Sequence, residues 1–167
     1  MWTKVVEFTV KGTPRTAGSK KAVPNRKYVS EAVTPKVRRT FLVDDSGSKG
    51  KTWRKAVART AYAALPPEFQ LLDCPICLEV HFFLARPQGH VGTGRNAGKL
   101  RPSAPRFPTS IPDQTKMLRA VEDALTGVIW KDDARIVLGY QGKHYATTER
   151  PEGVHVTVWE CLDATRP

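Results

Sequence analysis

Ile76-Cys77-Leu78-Glu79-Val80-His81-Phe82-Phe83-Leu84 is the stretch on which the fold turns. Ile76, Leu78, Val80, Phe82 and Leu84 point one way and Cys77, Glu79, His81 and Phe83 the other, because successive side chains of an extended strand fall on opposite faces. No other stretch alternates as strictly, and it reads as a central strand. Cys74 and Cys77, at its start, have the spacing of a redox or zinc motif. A redox pair needs that motif to open a helix, and structural zinc needs two further ligands. Here the motif opens a strand and only Cys161 is left, so these thiols read as packed cysteines.

Working outward, Val5–Val10 alternates with Val6, Phe8 and Val10 on one side. Ile136, Leu138 and Tyr140 mark another strand, and Val154, Val156 and Val158 the last. Residues 51–65 read as a helix stopped by Pro66-Pro67, with Trp53, Val57, Ala61 and Ala64 along its apolar stripe. A second helix starts at Pro112-Asp113, buries Met117, Leu118, Val121 and Leu125, and stops at Gly127. Strands and helices mix without regular alternation. The expected class is therefore α+β, a single mixed β-sheet with about two main helices packed on one face.

Two long segments escape this pattern, residues 11–50 and 86–112, both rich in Gly, Pro and basic side chains. They read as mobile basic loops of one domain spanning 1–167, since structureless segments of such length are usually functional. Arg15, Lys20, Lys21, Arg26, Lys27, Arg38 and Arg39 in the first, and Arg95, Lys99 and Arg101 in the second, are candidate phosphate contacts. Gly92-Thr93-Gly94-Arg95-Asn96-Ala97-Gly98 imitates a nucleotide-cradling loop, but the prolines at 102, 105, 108 and 112 forbid the helix that such a loop must open.

The net charge of +11 is unevenly spread: 15 of the 27 bases lie in the first 60 residues, whereas 9 of the 16 acids follow residue 112. A basic front half suits a polyanion, through counterion release, and an acidic rear half suits a metal. A solvated basic surface is the plain alternative. With no apolar run of ~18 residues and no signal-peptide pattern, a cytoplasmic protein that does not span a membrane is expected. His81 and His155 lie within strands and read as satisfied or solvent-facing; Trp130 and Phe107 could wedge between nucleic-acid bases, but Trp130, in an apolar run, reads as core, and Phe107 is open to either reading.

Asp113, Glu122, Asp123, Asp132 and Asp133 fall within 21 positions. Carboxylates hold hard cations such as magnesium, which neutralise charge on a phosphodiester during hydrolysis. Each also has a plainer use: Asp113 as a helix cap, Glu122 and Asp123 as surface residues.

Pro112 to Val137, with Pro112-Asp113-Gln114-Thr115, then Arg119, Asp123-Ala124-Leu125, an apolar stretch, Asp132-Asp133 and a following strand, resembles the core signature of RusA-like Holliday junction resolvases. Gly12-Thr13-Pro14 and Gly18-Ser19-Lys20 after the first strand support the likeness, as does Gly92 to Pro108, which is similar to a loop of phage and actinobacterial members. The resemblance implies a homodimeric endodeoxyribonuclease that cuts branched DNA, the four-way junction, with Mg2+ or alternatively Mn2+. Asp113 and Asp133 would be catalytic metal ligands beside Asp132, and Arg119 the basic helix residue that is often Lys in the family. The family's second acid falls on Thr115, and a hydroxyl is a poor magnesium ligand. Glu122, seven positions along the helix and within roughly 20° of the Thr115 direction, is best placed to supply the missing ligand, ahead of Asp123 and Asp132; otherwise water fills the place, or the chain is a catalytically weakened relative that binds branched DNA.

Overall fold

The computed structural model describes residues 1–18, 20–24, 40–44 and 47–161. The central strand is β4, Ile76–Leu84, flanked on one side by β6, Gly153–Cys161, and on the other by β5, Ile136–Tyr145. With β1, Trp2–Lys11, outside β6, the sheet order is β1-β6-β4-β5. The β1–β6 and β6–β4 pairs are antiparallel and the β4–β5 pair is parallel, so the sheet is mixed. A parallel neighbour cannot be reached through a tight turn. The chain therefore leaves the end of β4, runs through the 85–113 segment and α2, Gln114–Leu125, and returns to the start of β5.

The inward row of β4 supplies the core: Ile76, Leu78, Val80 and Phe82 are buried together with Val6, Phe8 and Val10 of β1 and Val154, Val156 and Val158 of β6. Each such side chain, removed from water, contributes about 1.5–3 kcal/mol. Helix α1, Gly47–Ala64, and α2 cover this row, with Trp53, Val57 and Ala61 from the first and Met117, Val121 and Leu125 from the second. The result is the α+β arrangement expected, one mixed four-stranded sheet with two helices. Trp130 is core, its indole N–H donating to Thr126 Oγ1 at 3.1 Å, as a buried Trp requires.

Three details depart from the sequence reading. Helix α1 begins at Gly47, four residues before the expected start, and its Ala64 is exposed rather than part of the buried stripe. Residues 11–50 are not one loop, since β2, Lys20–Pro24, and β3, Thr40–Asp44, pair antiparallel as a separate two-stranded ribbon. The 86–112 segment closes on itself: Gly92 N donates to Lys99 O at 2.9 Å and Arg101 N to His90 O at 3.0 Å. A Cβ on Gly92 would strike the Asn96 carbonyl, so this closure needs glycine there. Among the described residues no helix is long and apolar enough to cross a membrane.

Candidate active site

The N-terminus of α2 is built by Asp113, which stands in extended conformation and accepts from Lys116 N at 3.2 Å, the usual duty of a capping carboxylate. The peptide before it, Ile111–Pro112, is cis. Lys143, on β5, anchors this entry: its ammonium donates to Ser110 O at 2.7 Å and to Pro112 O at 3.0 Å. The turn after β1 arrives from the other side, where Ala17 N donates to Lys116 O at 2.8 Å. Arg15 of that turn lines a cleft of about 400 Å3 with Ser110, Ile111 and Pro112. One expected phosphate contact thus lies beside the residues leading into Asp113.

Along α2, Thr115, Arg119 and Glu122 follow at steps of four and three, which places them on one stripe of the helix. Thr115 and Arg119 are exposed, and Glu122 is half-buried. Burial raises the Glu122 carboxyl above its ordinary value, and the negative charges of Asp133 and then Asp123 raise it further, against the opposing charge of Arg119. Glu122 and Asp133 are therefore within electrostatic reach of each other, across the step from helix to turn.

That turn is tied down from both flanks. Asp132 caps a short 3-10 helix, Asp133–Arg135, by accepting from Ala134 N at 2.8 Å, so its carboxylate is engaged locally. Lys131 and Arg135 both pair with Asp73, at 2.8 and 2.6 Å, and Lys131 N donates to Leu72 O at 3.2 Å. Asp133, between them, is exposed. Among the described residues no three His, Cys, Asp or Glu side chains are gathered closely enough to hold a metal by themselves. What α2 and the turn offer is the pair Glu122 and Asp133, Arg119 one helical step away, and Asp113 at the head of the helix.

The remaining basic candidates are spread more widely. Arg95, Lys99 and Arg101 are exposed on the 86–112 segment, with Arg101 Nε held by Val91 O at 3.2 Å. Lys20 and Lys21 lie on β2, their side chains outside the described residues, as are Arg26, Lys27, Arg38 and Arg39 altogether. Arg86 is taken up by packing, its guanidinium 3.9 Å from the Tyr145 ring centre and bonded to Pro105 O. Phe107 is half exposed with Arg106 beside its ring, 5.3 Å from the centroid. Burial, and then the charge of Glu79, push the Cys77 thiol above its usual value, which opposes thiolate chemistry.

Sequence reasoning missed Lys143 and Asp73. Strand alternation gives the direction of a lysine side chain but not the loop carbonyls it meets, and Asp73 lies in an irregular segment with no pattern to read.

Comparison with known proteins adds one finding. The sequence model of the family described as Endodeoxyribonuclease RusA matches residues 21–158. No curated protein matches the chain.

Proposed function

This chain belongs to the RusA endodeoxyribonuclease family, and from that membership we propose that it resolves four-way DNA junctions by magnesium-assisted hydrolysis of two symmetry-related phosphodiesters. The observation that carries the reading is the electrostatic pairing of Glu122 with Asp133 beside Arg119. Two carboxylates within electrostatic reach of each other, one of them half-buried and only partly offset by Arg119, would gain from a hard cation. The donor set fits magnesium, which binds through one or two carboxylates, keeps several waters and takes substrate phosphate oxygens as further ligands. Glu122 and Asp133 would hold the ion, with Asp132 supporting the turn, and the family resemblance adds Asp113, at the head of α2, as a further carboxylate for it. Bound there, the ion would neutralise charge on the phosphate under attack.

The chain's own residues perform the rest. Arg119 is permanently charged and stabilises the phosphorane-like charge that develops during hydrolysis. The first turn of α2 adds the partial positive charge of a helix N-terminus. Lys143 holds the entry peptide in place. Arg15, Lys20 and Lys21 on one side and Arg95, Lys99 and Arg101 on the other contact backbone phosphates of the branched DNA, which fixes its position without reading sequence.

A homodimer completes the proposal, because a twofold assembly presents two equivalent sites to two equivalent strands. The outer edge of β5 supports it: β5 ends the sheet, and Val137, Leu138 and Tyr140 on it are exposed, a combination that natural sheets usually cover or pair. Residues 1–167 then act as one nuclease domain.

Incubation with synthetic four-way junctions and Mg2+ or Mn2+ tests the reading. Paired symmetrical nicks are expected; absence of nicking at every metal concentration overturns it. A second reading, a weakened relative that binds junctions, is favoured by one residue, Thr115, in the place of a family acid. Thr115→Asp decides between them: a rise in cleavage of ~100-fold supports the weakened form, whereas full-rate cleavage by the natural chain refutes it.

A further inference from the structure

The face of the sheet turned away from the helices carries a second polar cluster that the nuclease chemistry does not use. Strand pairing brings His81 of β4 opposite His155 of β6, and puts Phe83 opposite His144 of β5. His81 Nδ1 lies 3.2 Å from His144 Nε2, while the other nitrogen of His81 is held by Glu79 Oε1 at 2.7 Å. Phe83 stacks on the His144 ring with centroids 5.5 Å apart. The bare backbone of Gly142 lies against both imidazoles, where a Cβ would strike both rings. The cluster opens into a cavity of about 530 Å3, whose wall holds three carboxylates, Glu7, Glu79 and Glu149, against one guanidinium, Arg150.

We propose that His81 and His144 form an open binding site for a divalent transition-metal ion of the zinc class, distinct from the nuclease cation. Imidazole nitrogens bind zinc at ~2.0–2.1 Å, so two of them on one tetrahedral ion lie ~3.3 Å apart. The observed 3.2 Å separation needs almost no movement. A metal-ligating histidine commonly gives its second ring nitrogen to a carboxylate, which fixes tautomer and orientation, and Glu79 stands in that position toward His81. The balance of charge in the cavity favours a cation over a phosphate, in a chain whose net charge is +11. Imidazole selects zinc, copper or nickel, whereas the all-carboxylate site selects magnesium. Because the protein supplies two nitrogens, water and an exchangeable ligand complete the shell.

Titration of the full chain with Zn2+ alone near neutral pH tests this, read by calorimetry and by the imidazole resonances of the four histidines. With excess Mg2+ present to occupy the carboxylate site, one Zn2+ per chain is expected, with the His81 and His144 resonances displaced and those of His90 unmoved. His144→Gln keeps an amide that can hydrogen-bond His81 and should fold; it should weaken binding at least ~10-fold. Glu79→Gln should weaken it less, and Cys74→Ser with Cys77→Ser should leave it unchanged. The proposal is overturned by no uptake at millimolar Zn2+, by uptake that survives His144→Gln, or by uptake lost with the thiols, which would assign the ion to the cysteines.

Discussion

The acids of the candidate nuclease centre come from one helix and the turn that follows it, whereas the histidine cluster on the opposite face draws on β1, β4, β5 and β6. Asp113 and Thr115 through Glu122 are placed by helical spacing and a cap, and Asp132 and Asp133 by a short turn pinned to Asp73. His81 and His144 are 63 positions apart, and Thr9 lies 146 from the His155 whose Nδ1 it meets at 3.0 Å. A centre built locally survives small rearrangements of the sheet. One built across strands depends on register, since a slip of one residue turns every side chain to the other face. The local centre should therefore respond to changes in its own segment, and the strand-built one to changes anywhere along its pairing.

The sharpest test of locality is Asp113→Ser. Serine caps a helix about as well as aspartate, so stability should change by no more than about 0.5 kcal/mol. The carboxylate is lost, and cleavage of a four-way junction should fall by ~100-fold or more. Retained cleavage would reduce Asp113 to a cap and empty the head of α2 of chemistry. Lys143→Met tests a strand residue that reaches across to the helix site. It removes both hydrogen bonds to the entry peptide, at about 1.5–3 kcal/mol each for a charged donor at the upper limit. Cleavage should fall ~10-fold through misplacement of α2's first turn, with Lys143→Arg recovering part of it. If cleavage is unaffected once the protein is shown to be folded, the helix centre is independent of β5 and the contrast between the two regions becomes complete.

Sequence reading was strongest where structure is local. The bounds of β4 follow from its alternation, and those of α2 from Asp113 at one end and Gly127 at the other, whose φ of +78° suits glycine. It was weaker at α1, because Gly47, Ser48 and Gly50 are poor helix formers and concealed the first turn. Phe41-Leu42-Val43 was a strand signal too short to stand out from the Gly- and Pro-rich segment around it. The acidic residues were legible as a group, but their division of labour was not: Asp132 serves the turn, and Glu122 is the acid linked to Asp133. The histidine cluster was illegible. Its members meet only because β5 pairs parallel with β4 through a register shift between Ile76 and Cys77, and nothing in the sequence announces that offset.

The smallest effect expected is also the most specific to the acid pair. Burial first, then Asp133 and Asp123, lift the Glu122 carboxyl above its ordinary value. A carboxyl whose folded value lies above its unfolded one favours folding while protonated, at pH below the unfolded value; that contribution is lost as pH rises through the folded value. Above the folded value the ionised Glu122 therefore opposes folding. In metal-free buffer Glu122→Gln should melt slightly higher than the parent at neutral pH, and the two should converge in acid, where the parent carboxyl is protonated. Added Mg2+ should raise the parent's midpoint, because an ion that binds only the folded state stabilises it by mass action, and raise the variant's less. A variant that melts lower at neutral pH without metal, or that gains as much from Mg2+ as the parent, would mean that Glu122 and Asp133 share no deficit of positive charge.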